Sequence, residues 1–385
     1  MSKNLYVELH ALQPIPPSNV NRDDTGNPKT AIFGGIRRAR VSSQAWKRSI
    51  RQDFANRLAP ELVGVRSVRL VEKLASEIRS QYPELTDEAQ AMAVDVFTTA
   101  NLKVSKPKPK KNQETEPIEV TGYLVFLSNQ QLSSIAELAG KTVIDGGEIK
   151  SLKKELLQRL KFNNSYDLAL FGRMVADNTD LNVEAAAQVA HAIGVSKVET
   201  EFDYYTAVDD VKAASEEETD AGAAMIGSIA FNSSTVYRYA NINVSELARN
   251  LGDAAGTAGA IREFVRSFVT AMPTGKQNSF ANRTLPTSLV VTLRSDQPIS
   301  LAPAFETPLY PSEERSISVA AAARLAEYAG ELYEAFGATP EMTWVQGVGD
   351  AGKVLEELGD RVALPELLAA VEQAAVTFAE ENLSA

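Results

Sequence analysis

The chain has no cysteine and only two histidines, His10 and His191. Without thiols there is no disulfide framework, no iron–sulfur cluster and no thiolate zinc site, and two imidazoles do not make a His-rich metal centre. No cofactor or metal is therefore expected. Long apolar runs are missing too, because charges interrupt every hydrophobic stretch before it could span a bilayer. The N-terminal MSKNLYVELHAL lacks the apolar core and small-residue cleavage site of a signal peptide, so a cytoplasmic protein without membrane contact is expected. There is no internal repeat, and no pair of carboxylates has a spacing that assigns general acid and base roles. One glycine-rich stretch, GVGDAG (347–352) followed by Lys353, matches G-x-G-x-x-G behind the strand-like MTWVQ. Asp350 would face the phosphates, however, and no second βαβ strand with a ribose-binding acid follows.

What is present is an ordinary globular composition. The 385 residues are 44% hydrophobic and 23% charged, enough for one elaborated domain or two. The net charge is −11 and the pI ≈ 5.0, but the charge is segregated. Residues 1–51 hold nine Lys/Arg against Glu8, Asp23 and Asp24, a net of about +6 that leaves about −17 for the rest. The positive charge culminates in GGIRRARVSSQAWKRSIR (34–51), which has no acidic residue. A polyanion is the partner such a face would hold.

LYVELHAL (5–12) reads as a first strand, and PIPPSNVNRDDTGNPKTAIFGG as a long polar loop. Ser42 or Ser43 can N-cap a helix whose stripe is Trp46, Ile50, Phe54 and Leu58, leaving Lys47, Arg48 and Arg51 off it. Helices are predicted over 67–81, 86–102, 148–162, 182–193, 257–272, about 316–336 and about 364–382. VTGYLVFLS (120–128) reads as a local strand. KVSKPKPKKNQETEPIE is an exposed Lys/Pro-rich linker. AASEEETDAGAA (213–224) reads as a protruding loop, and 225–231 and 235–242 as two strands joined by Asn232-Ser233-Ser234. TSLVVTLR (287–294) is a further strand. With the helical block set aside, the order strand, helix, strand, strand, helix, strand predicts an α+β fold with a ferredoxin-like, RNA-recognition-like core.

For the basic stretch, a solvated helix face competes with a phosphate site. Arg37, Arg38 and Arg40 lie just before the helix, and Ser42, Ser43 and Gln44 stand where free N–H groups and the dipole favour a phosphate. Cations weaken a first helical turn, so Lys47 and Arg48 point to an expected anion. Asp23-Asp24 beside Arg22, DNTD (177–180) and Asp209-Asp210 read as turns or, alternatively, as Mg²⁺ ligands. Lys276 and Gln277 sit in a loop that touches phosphate or merely turns. Phe171 and Met174 are core residues or an apolar wedge between bases. Tyr204 and Tyr205 stack on a base or are buried. Lys103, Lys106, Lys108, Lys110 and Lys111, with Lys150, Lys153 and Lys154, are solvated lysines or a sequence-independent attractor of duplex phosphates.

NVNRDDTGNPKTAIFGGIRRARVSSQAWKRSIR is similar to the signature of the CasC-type backbone subunit of Cascade, the type I-E CRISPR surveillance complex. DLALFGRM (167–174), AHAI (190–193), FDYYTAVDD (202–210), YRYANINV (237–244) and GKQNSFA (275–281) continue the likeness in family order. The resemblance implies an RNA-recognition-like palm (1–59 and 227–385), helical fingers (60–195) and a thumb loop (196–226). It implies a noncatalytic subunit that polymerises with other copies along the spacer of CRISPR RNA, beside other Cascade subunits. Complementary target DNA pairs with the guide, and a recruited helicase-nuclease cuts it. By the likeness Arg22, Lys29, Ser42, Gln44, Lys47, Arg48 and Arg51 would hold RNA backbone, Met174 would wedge at a kink and Tyr205 would belong to the thumb contact. Asn21 and Arg173, inside the matching blocks, complete the candidate set. The lysine patches would guide DNA. Among related complexes an alternative is a backbone subunit that also cleaves RNA through a loop Asp and Mg²⁺, here Asp23, Asp24 or Asp209.

Overall fold

The computed structural model describes residues 4–108, 118–207 and 225–383. Lys110, Lys111, Asp209, Asp210 and the acidic loop 213–224 lie outside them.

The strand predicted over 5–12 runs further, as β1 (Tyr6–Ser18). Its pairing with the long strand described below is interrupted between Ile15 and Ser18, where Pro16 and Pro17 cannot donate to the ladder. The expected polar loop is partly a hairpin, β2 (Thr30–Phe33) with β3 (Ile36–Val41). Gly34 and Gly35 form its two-residue turn with φ +58 and +78, a geometry that favours glycine at both positions. Helix α1 (Ser43–Arg57) follows and buries Trp46, Ile50 and Phe54, the predicted stripe.

An insertion then leaves the sheet. It comprises β4 (Gly64–Ser67), α2 (Leu70–Gln81), α3 (Ala89–Thr99), β5 (Val104–Ser105), β6 (Val120–Thr121), β7 (Val125–Ser128), α4 (Asn129–Ile144), α5 (Lys153–Lys161) and α6 (Tyr166–Phe171). Leu74, Ile78, Phe97, Leu132, Ile135 and Leu156 give it a core of its own. The chain returns through β8 (Ala187–Val189) and β9 (Ala192–Gly194). A helix over 182–193 is thus corrected to two short strands. Alanine's helix propensity yields to pairing between β9 and β3 and to Gly194, where a Cβ would meet the Ser234 hydroxyl and the Ala39 backbone.

The expected pair of strands over 225–242 is also corrected. It is one 19-residue strand, β11 (Met225–Asn243). Its first part pairs with β10 (Glu201–Ala207) as a two-stranded ribbon, and its second part with β1 at the sheet centre. The segment expected as a thumb loop thus begins and ends, among the described residues, in a β-ribbon. Helices α7 (Val244–Leu251, not anticipated) and α8 (Ala254–Thr270), the short α9 (Gln277–Phe280) and β12 (Ser288–Arg294) follow. The tail contributes α10 (Ile317–Phe336), β13 (Met342–Gly347), α11 (Gly349–Lys353), β14 (Asp360–Arg361) and α12 (Leu364–Leu383).

The main sheet has the order β14-β13-β12-β1-β11-β9-β3-β2, and the central pairs are antiparallel. Val7, Leu9 and Ala11 of β1 pack with Ile50, Phe54, Phe264 and Val371 on one face, under α1, α8 and α12. Leu12, Tyr237 and Val290 pack with Leu325 of α10 on the other. A smaller cluster, Ile15, Val41, Trp46, Ala192, Val236 and Met272, lies beneath the start of α1. GVGDAG sits at the β13–α11 turn, where Gly347 and Gly352 meet backbone to backbone and Asp350 pairs with Lys353 at 2.9 Å. No helix among the described residues is long and apolar enough to cross a membrane.

Candidate nucleic-acid interface

The start of α1 is built by two segments. Ser42 caps the helix, its hydroxyl accepting from the Ala45 N–H at 3.3 Å. Its own N–H donates to Asn21 Oδ1 at 2.8 Å, which ties the loop after β1 to the helix. Ser42 is therefore buried and committed to capping. Ser43 is half-buried and Gln44 exposed, at the start of a first turn that holds no acidic residue. Lys47 is half-buried, with its ammonium 5.8 Å from the Phe171 ring centre, and burial lowers its pKa. Arg48 is exposed. Neither has a carboxylate within ion-pair distance among the described residues.

The arginines of the basic stretch part company. Arg37 is exposed and donates to Thr30 Oγ1 at 3.0 Å. Arg38 is fully buried and donates to the carbonyls of Gly194, Phe305 and Glu306 at 3.0–3.1 Å. Its placement in an RNA groove is corrected, since the guanidinium is fully buried and its terminal nitrogens are turned to carbonyls of the fold. Arg40 is half-buried, donating from Nε to the Thr30 carbonyl at 3.3 Å and lying 3.2 Å from Nδ1 of the exposed His191. Lys29 is backbone-bonded to both Asn21 and Arg40. A small pocket here is lined by Asn21, Lys29, Arg40, Asn232 and Ser234. Burial, then Arg40 and Lys29, hold the His191 imidazole below its ordinary pKa. Arg51 turns the other way, donating to Asp167 Oδ2 at 2.9 Å and lying 4.3 Å above the Phe126 ring. Asp167 also accepts from the Gly64 N–H and the Ser165 hydroxyl, and burial raises its pKa. Arg51 thus fastens α1 to the insertion rather than pointing into the open.

Arg22 is exposed. Asp23 Oδ1 accepts from the Thr25 N–H, the Thr25 hydroxyl and the Asn27 N–H, the bonds of a tight turn that hold its carboxyl below the usual range. Among the described residues no group of three His, Asp or Glu gathers that could hold a metal. Lys276 and Gln277 come to the same place from far along the chain. A side chain at Gly275 would overlap the carbonyls of Val20 and Asn19, so this loop rests directly on the one after β1. A cleft of about 280 Å³ separates α1 from it, lined by Gln52, Asn56, Gln277, Asn282 and Arg283.

GRM resolves into three roles. Gly172 has φ +79 with the Val183 carbonyl in the place of a side chain. Arg173 is buried and donates to the carbonyls of Leu181 and Leu160 at 2.7 and 2.8 Å, and burial lowers its pKa to about 10. Its expected RNA contact is corrected: it anchors the loop. Met174 is 82% exposed, which excludes a core residue. Phe171 takes that part against Phe264. On the ribbon Tyr205 lies across Gly227, half-buried, whereas Phe202, Tyr204 and Ile226 are exposed on one face. Lys103, Lys106, Lys108, Lys150, Lys153 and Lys154 are exposed on the insertion. Sequence reasoning missed His191 as part of the basic site. Its segment read as helix, and only the strand pairing places it beside Arg40.

None of the curated proteins compared matches the chain. Among solved structures it resembles a chain of a "CRISPR RNA-guided surveillance complex, pre-nicking", with 34% identity and a TM-score of 0.83 over 96% of this chain and 100% of that one. It also resembles a chain of a "CRISPR RNA-guided surveillance complex", with 29% identity and a TM-score of 0.72 over 96% and 99%. The pattern of the CT1975-like protein family matches residues 7–370, and the chain belongs to that family.

Proposed function

We propose that the chain is the guide-RNA-binding backbone subunit of a Cascade-type CRISPR surveillance complex, of the CasC type of subtype I-E. The observation that carries the reading is the set of cations without carboxylate partners, Lys29, Arg40, Lys47 and Arg48, gathered from separate segments around one helix start. Asn21, Arg22, Arg37, Ser43, Gln44, Lys276 and Gln277 border it. Phosphate contacts suit a subunit that must accept any guide sequence. The central order β12-β1-β11-β9, with α1 and α8 on one face, supports a ferredoxin-like palm. The likeness to chains of surveillance complexes supports assembly with CRISPR RNA and other Cascade subunits.

On this reading several copies line the guide. Met174 wedges between bases, the ribbon with Tyr204 and Tyr205 forms the thumb, and the lysines of the insertion draw in target DNA. The subunit is noncatalytic, which the turn role of Asp23 supports, and a recruited helicase-nuclease cuts the DNA. The test is co-purification with a repeat–spacer transcript. Lys29→Ala, Lys47→Ala and Arg48→Ala combined are expected to keep the circular-dichroism spectrum and lose the RNA. Single variants are expected to lower the salt slope of binding by roughly one each. Undiminished RNA recovery by the triple variant overturns the assignment.

A further inference from the structure

Beside the basic pocket, next to Arg40, stands an exposed imidazole. His191 sits between β8 and β9, with its Nδ1 3.2 Å from the Arg40 guanidinium of β3. Arginine has only donors, so this Nδ1 accepts and the ring is neutral, leaving Nε2–H as its outward donor. Arg40 from β3 and Lys29 from the segment entering β2 are the charged groups that act on the ring, and no carboxylate among the described residues does. Three basic groups thus share one place with nothing negative between them. Resting on the RNA-binding reading above, we propose that His191 is a third ligand of the phosphate held by Lys29 and Arg40, and that it takes up a proton when that phosphate binds.

The sign follows from linkage. In the free protein the two cations disfavour imidazolium, and a phosphate removes that penalty. The bound pKa therefore exceeds the free one, and affinity rises as pH falls between the two values, by at most about tenfold per pH unit for each subunit. The chain is suited to revealing this. It has no cysteine, and its other histidine, His10, is fully buried with its pKa lowered to about 3. His191 is therefore the imidazole left to take up such a proton.

The experiment uses the full chain and a uridine-only RNA, whose bases carry no titration from pH 5.5 to 8, at constant ionic strength. Wild type is expected to bind several-fold more tightly at pH 5.5 than at pH 8. His191→Gln is expected to lose that slope, and His191→Lys to bind with little pH dependence. An unchanged slope in His191→Gln, or no slope in wild type, overturns the proposal while the RNA-binding reading stands. Absence of binding by wild type at every pH overturns both.

Discussion

The centre of the sheet and its β2–β3–β9 edge treat positive charge in opposite ways. At the centre, Arg294 is fully buried on β12. It lies 3.5 Å from Glu8 and 2.9 Å from Asp296, and donates to the Ala338 carbonyl at 2.6 Å. Glu8 in turn accepts from the Tyr239 hydroxyl and the Ile299 N–H. Arg238 is equally buried, packed 3.7 Å from the Trp46 ring and bonded to Gln13 and the Phe268 carbonyl. At the edge, Lys29, Arg40, Lys47 and Arg48 have no carboxylate partner among the described residues. Buried charge is met from within, by carboxylates at Arg294 and by an amide oxygen, a carbonyl and aromatic rings at Arg238, because its desolvation is costly. Charge at the edge is left uncompensated, and a fold with an excess of acids had ample means to neutralise it. The difference separates cations tied into the fold from cations that the proposed function assigns to RNA phosphate.

The sharpest way to break the comparison is to exchange one member from each region. Arg294→Met leaves Glu8 buried without its countercharge and is expected to cost about 3–5 kcal/mol in urea unfolding. Arg48→Ala is expected to stay within about 0.5 kcal/mol of wild type. Similar losses from both would erase the distinction.

The two histidines extend it to pH. Burial, with a smaller push from Arg294, lowers His10 to about 3 from an ordinary 6.5. A folded pKa below the unfolded one means that His10 contributes no penalty above pH 6.5. Stability then falls as pH drops from 6.5 toward 3, by up to about 1.4 kcal/mol per unit. His10→Gln is expected to flatten that part of the unfolding profile, and His191→Gln to flatten it less, because the exposed ring is shifted in the same direction without being buried like His10. Acid thus weakens the centre, whereas the His191 proposal has it strengthen binding at the edge.

A finer comparison lies within GRM. Gly172→Ala is expected to cost about 1–3 kcal/mol, because its φ of +79 and the Val183 carbonyl leave no place for a methyl group. Met174→Ala, at an 82% exposed site, is expected to leave stability unchanged and to alter the fluorescence of 2-aminopurine placed in bound guide RNA.

Much of this was legible in the sequence where local chemistry decides. The α1 stripe, the Ser42 cap and the long tail helices follow from spacing and capping, and the charge asymmetry located the basic site. Arg37 and Arg38 show where legibility ends. They are adjacent and alike in type, and only the pleat and the carbonyls of Gly194 and Phe305 turn one outward and one inward. The segment 182–193 failed for a related reason, because its alanines answer to the narrow gap between β11 and β3, a distance no local pattern encodes. His191 was lost with it.

Strand β11 has one more implication. Its single 19-residue run serves both the buried ladder with β1 and the projecting ribbon with β10. Side chains along a strand alternate with period two, so the core ladder decides which way every ribbon side chain faces. Removing one residue between Asn232 and Thr235 would preserve the core yet swap the ribbon's two faces, carrying Phe202, Tyr204 and Ile226 to the opposite side. The orientation of the ribbon is inherited from the interior, as the direction of a weathervane's arm is set by its spindle.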